Sequence, residues 1–343
     1  MTRISFAAGR DAQPAALERI AAHVVGRPLL GPRPVARPLF CGIGASYAAL
    51  AVPVEILRGR GVPAYRVTAG EVADHPAAFA DDLLIGVSQS GRSAETLAAF
   101  HSTSMPRLAL VNVSLSPLAE LAELTVDLGD EPDSYASTVG FTGTVLALDI
   151  LAAELAGDSG AYAKWATIEA LTTRARQAAD DVLATIAGRA AGCVAADAVA
   201  AGASRAAAEE TALLLREVPR VPAAASATRT YLHGEMESAG DTLHVIFGAG
   251  REVELAWTLA NAGHLTLLVT TAAVEPGPNL GVVRLPMVEP AVLVVLETVV
   301  AQELAAVLAQ ERGIAAEAFV FANHDTKEGG VDPADFALGG ARP

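Results

Sequence analysis

The strongest constraint on the fold is an alternation. In the first half, five short apolar runs are separated by segments of helical spacing. The runs are Leu39 to Gly42, Val62 to Val67, Leu83 to Val87, Leu108 to Asn112 and Leu124 to Leu128. Runs this short and this apolar read as strands buried on both faces, and strands alternating with helices read as a parallel, doubly wound sheet. The expected helices are residues 11 to 26 (Leu17, Ile20 and Val24 on one face), Tyr47 to Arg58, a turn at Leu118 to Leu121, and a long helix from Phe141 to Leu155. Pro28, Pro32, Pro34 and Pro38 mark a loop before the first strand.

The second half repeats the plan. Gly44-Ala45-Ser46 recurs as Gly202-Ala203-Ser204, 158 positions later, and His75 recurs as His233 at the same offset. Gly91-Arg92 recurs as Gly250-Arg251, the strand Leu108 to Val111 as Thr266 to Val269, and the long helix as Val292 to Ala309. Several matches at nearly one offset predict duplication of an α/β unit. The α/β fold expected is therefore two flavodoxin-like subdomains in tandem, joined by helices between about Ala161 and Ala187.

One stretch carries chemistry. The run Leu83 to Val87 ends in Ser88-Gln89-Ser90-Gly91-Arg92-Ser93, and a helical pattern follows with Leu97 and Phe100 on one face. Unpaired N–H groups at a helix N-terminus, aligned with the helix dipole, favour an anion. Gly91 would let the backbone approach a ligand. The stretch has neither the lysine of a nucleotide P-loop nor the dinucleotide glycine pattern. It reads as a monophosphate pocket, or else as a serine-rich turn that caps its own helix. The matching position of the second half is Phe247-Gly248-Ala249-Gly250-Arg251-Glu252, without hydroxyls and with a carboxylate, so one phosphate site is expected.

Composition excludes other classes. A formal net charge of −15 opposes nucleic acid, and 5% aromatic residues leave few stacking platforms. The two cysteines, Cys41 and Cys193, form neither a disulfide framework nor a metal-ligand spacing, and read as buried thiols. No metal and no cofactor are expected. The apolar stretch Ala291 to Leu308 is interrupted by Glu297 and Glu303, which reads as a core helix and not a membrane span. No signal-peptide layout is found at the N-terminus, and a cytoplasmic protein is expected. Asp81-Asp82 and Asp180-Asp181 read as solvated turn charges, and His75 as a structural group.

These residues carry a resemblance. Gly44-Ala45-Ser46-Tyr47, Ser88 to Thr96, Ala136-Ser137-Thr138, Leu213-Leu214-Leu215-Arg216-Glu217 and Leu232-His233-Gly234 resemble, in order, the motifs of the double sugar isomerase (SIS) domain family. The nearest plan is the isomerase half of glucosamine-6-phosphate synthase, with its fructosamine deglycase and amino-sugar-phosphate deaminase relatives. The resemblance implies phosphate contacts from Ser88, Gln89, Ser90 and Ser93, and a sugar pocket lined by Gly44, Ser46, Ala136 and Ser137. It implies catalytic roles for Glu217 in moving a proton between C1 and C2, for His233 in opening the ring, and for Lys327 of the tail at the carbonyl. It also implies a homodimer in which His233 completes the partner's site. Leu214, Leu232 and Val139 stand where the synthase has lysines, Glu235 follows His233-Gly234 in place of proline, and residue 2 is Thr. Glutamine-driven synthesis is therefore not expected.

The expected organisation is an N-terminal helix and linker (1–34), a phosphosugar-binding SIS domain (35–160), linking helices (161–190), a second SIS domain with the catalytic Glu and His (191–320), and a tail (321–343). The expected function is an isomerase-type enzyme acting on an amino-sugar phosphate or fructosamine phosphate, as deaminase or deglycase. The alternatives are a non-catalytic sugar-phosphate-binding regulator and a simple sugar-phosphate isomerase.

Overall fold

A computed structural model of the chain describes residues 2–31, 34–158, 162–317, 319–321 and 323–330. Residues 331–343 of the expected tail, Pro32 of the proline-rich loop and residues 159–161 at the expected end of the first domain lie outside the described residues. The chain divides into two compact units. The first is Met1–Ile168 with the segment from Val320, and the second is Glu169–Phe319.

The first unit contains α1 (Phe6–Val24), β1 (Pro38–Gly42), α2 (Ala45–Ala49), α3 (Ala51–Gly59), β2 (Tyr65–Thr68), α4 (Ala69–Asp74), β3 (Leu83–Val87), α5 (Ala94–Ser102), β4 (Arg107–Val111), α6 (Pro117–Leu121), β5 (Leu124–Asp127) and α7 (Val139–Leu155). Its five strands are parallel, in the order β2-β1-β3-β4-β5. That is the flavodoxin-like order, with the reversal between β1 and β3. α4, α5 and α6 cover one face around Phe100, Leu97, Val72 and Leu118. α1, α2 and α3 pack against α7. Fifteen of the 17 residues of α7 are buried. A helix apolar all round is one enclosed on every side.

Two expected elements change for a reason the sequence holds. Tyr47 to Arg58 is two helices, broken at Leu50. Pro53 has no N–H for the Ala49 carbonyl, and its ring crowds that carbonyl. The second strand starts at Tyr65 and not Val62, because Pro63 cannot donate to a sheet.

The second unit contains α8 (Ile168–Ala191, from its second residue on), β6 (Ala195–Ala200), α9 (Arg205–Glu217), β7 (Ala223–Ala227), α10 (Thr228–Tyr231), β8 (Thr242–Phe247), α11 (Arg251–Asn261), β9 (Thr266–Thr270), β10 (Leu280–Arg284) and α12 (Pro290–Glu311). Its sheet is again parallel, in the order β10-β9-β8-β6-β7. Counted from its own first strand this is the order of the first sheet. The expected α/β fold of two doubly wound parallel sheets is therefore the observed one. Gly44-Ala45-Ser46 follows β1 as Gly202-Ala203-Ser204 follows β6, and His75 follows α4 as His233 follows α10.

Among the described residues, α12 is the one helix long and apolar enough to cross a membrane. Its two interrupting carboxylates are engaged inside the unit. Ser204 Oγ donates to Glu297 Oε1 at 3.0 Å, and Arg176 Nε meets Glu303 Oε1 at 3.0 Å. Most of the helix is buried, and it packs against α9. Both cysteines are buried and unpaired.

Candidate functional site

The strand β3 delivers Ser88 to the carboxyl edge of the first sheet, where open α/β sheets bind ligands. Ser88 N donates to Leu110 O at 3.1 Å and Gly91 N donates to Ser88 O at 2.9 Å, which closes a tight turn. Ser88 is buried. Its Oγ lies 2.9 Å from Ser93 Oγ and accepts from Ser93 N at 3.4 Å. Ser90 is half-buried, and its Oγ accepts from Arg92 N at 3.3 Å.

Ser93 is the N-cap of α5. Its backbone is extended, as a cap requires, yet among the described residues its side chain makes no capping bond. The hydroxyl turns back to Ser88 instead. Hydroxyls and first-turn amides thus gather at the positive end of a nine-residue helix without the internal cap that would satisfy them. This favours the anion-site reading over the self-capping one.

Gly91 has a reason other than the one expected. Its φ is +64°, and a Cβ there would collide with Ser116 Oγ and Cβ. The glycine lets the loop after β4 pack under the turn. Ser116 Oγ and Thr96 Oγ1, on either side of the turn, are buried without a partner among the described residues.

A second element braces the turn. Asp133 is fully buried, and its carboxylate gathers four donors. Thr138 N (3.0 Å) and Thr138 Oγ1 (2.7 Å) donate to Oδ1, while Ser137 Oγ (2.8 Å) and Gln89 Nε2 donate to Oδ2. Ser137 Oγ also accepts from Phe141 N at 2.9 Å. Gln89 reaches Asp133 across Gly140, where a Cβ would fill the path. Gln89 therefore spends one of its two side-chain amide hydrogens on the brace. Ala136 is buried beside Ser137 in the same loop.

The tail reaches this unit. Lys327 forms an isolated antiparallel bridge with Ser93, and its Nζ stands 5.2 Å from the centre of the Tyr135 ring. Arg92 anchors the segment. Its Nε donates to Glu328 O at 2.9 Å, its Nη2 to Gly330 O at 3.0 Å, and its carbonyl accepts from Glu328 N at 2.8 Å. Ser88, Gln89, Ser90, Ser93, Ala136, Ser137 and Lys327 thus lie on three segments linked by direct contacts. Gly44 (φ +57°) is the N-cap of α2 after β1, and Ser46 lies in the first turn of that helix. Sequence reasoning missed Asp133. Its signal was an acidic residue four and five positions before Ser137 and Thr138, at the start of a long apolar helix.

In the second unit Glu217 ends α9 and is half-buried. Burial pushes its carboxyl up to about 7, with no hydrogen bond or cation pulling it back. Arg216, the neighbour that would make it an ordinary surface charge, donates to Ala223 O at 2.7 Å instead. His233 is exposed on the turn after α10. The second unit's counterpart of the serine turn holds its own anion. Glu252 Oε1 accepts from Thr228 Oγ1 at 2.7 Å, and a Cβ on Gly248 would fall within 3 Å of the Glu252 carboxylate. Among the described residues no group of three or more His, Cys, Asp or Glu side chains is placed to hold a metal ion.

The comparisons with known proteins agree with this fold. No curated protein matches the chain. Solved structures do. The C-terminal domain of glucosamine-fructose-6-phosphate aminotransferase from Francisella tularensis is 20% identical with a TM-score of 0.78, over 90% of this chain and 96% of that one. Glucosamine-6-phosphate deaminase from Thermotoga maritima is 20% identical with a TM-score of 0.73, over 91% and 96%. Tagatose-6-phosphate ketose/aldose isomerase from Escherichia coli is 16% identical with a TM-score of 0.74, over 94% of each. At such identities the likeness is one of fold. The SIS domain family model matches residues 35–154, so the part of the chain that holds β1 to β5, the serine turn and the Asp133 brace is an SIS domain.

Proposed function

We propose that the chain binds a sugar phosphate at the serine turn and processes it as an isomerase-type enzyme. The class favoured is an amino-sugar phosphate or a fructosamine phosphate. The observation that carries the reading is the turn itself: three hydroxyls and the uncapped start of α5, held by Asp133, inside an SIS domain. Ser88, Ser90 and Ser93 would donate to the phosphate, with Ser46, Ala136 and Ser137 toward the sugar. Lys327, bridged to Ser93, supplies a cation. On this reading the second unit is a second SIS domain whose turn has lost its anion site to Glu252.

The chemistry rests on Glu217 and His233. Moving a proton between C1 and C2 needs a group that is base in one step and acid in the next, which a carboxyl titrating near 7 can be. His233 would open the ring, and its exposure suits a role at a partner's site in a homodimer. Hydrolysis of the imine formed on the way would release ammonia or an amine. One observation favours a non-catalytic sugar-phosphate regulator instead. Leu214, where the synthase has a lysine, is fully buried on α9, so no cation stands there beside Glu217.

Exchange of substrate hydrogen with solvent deuterium separates these readings. The wild type, given a panel of amino-sugar and fructosamine phosphates, should exchange the hydrogen at C1 or C2 and release ammonia or amine. Exchange without release identifies a simple isomerase. Binding without exchange identifies a regulator.

A further inference from the structure

The turn that carries His233 is held from two sides by groups buried around it. α10 is a single turn of four residues and could not persist alone. At its start, Thr228 Oγ1 donates to Glu252 Oε1 at 2.7 Å, and both residues are buried. At its end, the Tyr231 hydroxyl donates to Asp197 Oδ2 at 2.9 Å and lies 3.0 Å from His244 Nδ1. Asp197 on β6 and His244 on β8 are register partners, so their side chains rise from the same face and Tyr231 closes over both.

A phenol has one proton, and here Asp197 receives it, which leaves the phenol oxygen able to accept from His244 Nδ1. Nε2 is buried without a partner among the described residues. His264 stands edge to face against the His244 ring at 5.7 Å, and its Nδ1 lies 3.3 Å from Gly240 O, at the far end of the 231–240 segment.

Burying four polar side chains, with Asp197 half-buried beside them, to hold one surface turn is costly where apolar packing would suffice. Directed hydrogen bonds add a fixed orientation, which apolar contacts do not. The group mounted on this base is His233. Its N–H donates to Thr230 O at 2.9 Å, its side chain is exposed, and Gly234 turns the chain away at φ +134°. We propose that Thr228–Glu252 on one side and Tyr231–Asp197–His244 on the other are a clamp that positions His233. Glu252, the carboxylate that fills the second unit's unused anion turn, is one jaw of it. The inference rests on reading His233 as the ring-opening group.

The test uses the full chain with Tyr231→Phe, which removes one hydroxyl, and Thr228→Val, which keeps the shape at the other jaw. The probes are glucosamine 6-phosphate and its 4,5-dideoxy analogue, which has no hydroxyl left to close a five- or six-membered ring. Each variant should slow turnover of the ring-forming sugar by roughly tenfold or more, as a displaced catalytic group does, with KM little changed. The dideoxy analogue should react at the wild-type rate, and amide exchange at 232–234 should quicken. Loss of rate on both sugars alike would mark a merely structural role and overturn the clamp. If His233→Ala slows only the ring-forming sugar while both variants match the wild type, the clamp is wrong and the role of His233 stands. If the wild type turns over neither sugar, or His233→Ala does not distinguish them, the functional reading falls and the clamp with it.

Discussion

The proposed chemistry turns first on one carboxyl. Glu217 has an ordinary value of 4.5 and is held near 7 by burial alone. The sign of the linkage follows. The folded chain keeps a proton that the unfolded chain gives up between those two values. The stability this proton contributes is complete below pH 4.5 and is lost as pH rises through 7. Glu217→Gln, neutral at every pH, removes that loss. It should melt with the wild type at pH 5 and higher at pH 8, by roughly 2–4 °C, on the order of 1 kcal/mol once partial exposure is discounted. Calorimetry at the two pH values checks it; an equal shift at both would mean that Glu217 is ionised throughout. The same variant should bind sugar phosphate as the wild type does and lose solvent exchange at C1 and C2 by about 10²–10⁴-fold. Glu217 was legible in the sequence through the leucine-rich helix it ends. Asp133, Tyr231 and His244 were not, because each acts through partners distant in the chain. Gln89 stands 44 residues before Asp133, and no local pattern announces that they meet.

Among the elements, α4 and α5 offer a matched pair of N-termini. α4 has a full capping box: Thr68 Oγ1 accepts from Glu71 N, and the Glu71 carboxylate accepts from Thr68 N at 2.8 Å. α5 has a serine in the capping place whose hydroxyl is turned elsewhere. Thr68→Ala should therefore destabilise the chain by about 1 kcal/mol and leave phosphate affinity alone. Ser93→Ala should do the reverse, with a stability change within about 0.5 kcal/mol and roughly tenfold weaker binding of a sugar phosphate. Urea melts and calorimetric titrations of both variants read the contrast. A Ser93→Ala protein that is destabilised but binds normally would return the turn to a simple helix cap. α12 carries a third case. Burial pushes Glu297 up to about 8, against the hydrogen bond from Ser204. Glu297→Gln should remove a loss of stability that the wild type suffers as pH passes through 8. The strands of the first sheet were readable because their runs are Leu- and Val-rich. Thr68-Ala69-Gly70-Glu71 carries the capping pattern that starts α4. In the second sheet β6 and β7 are Ala-Ala-Asp-Ala-Val-Ala and Ala-Ala-Ala-Ser-Ala. Alanine has little strand preference, so only their parallel neighbours make them strands.

At the scale of the whole molecule, two sheets of identical strand order differ at one turn. The first keeps three serines around an open helix start, and the second places Glu252 there and ties it to Thr228. The motif offset foretold the shared strand order, and the missing hydroxyls are why the anion site is proposed for the first turn alone. Neither told what Glu252 does, because Thr228 stands 24 residues away. The difference leaves the proposed roles on different units, phosphate binding on the first and Glu217 with His233 on the second. In a homodimer with His233 serving the partner's site, a site would draw Glu217 and His233 from different chains. Mixing two dead variants tests this. Glu217→Gln and His233→Ala should each be inactive as pure proteins. Unfolded together and refolded at equal amounts, half of the dimers are mixed. In each mixed dimer one site pairs the intact Glu217 of one chain with the intact His233 of the other, while the second site has neither. Activity should return to about a quarter of the wild-type value. If both residues serve their own chain's site, every site keeps one defect and the mixture stays inactive. Light scattering on the same sample reads the assembly directly; a monomer that turns over substrate would exclude the shared site.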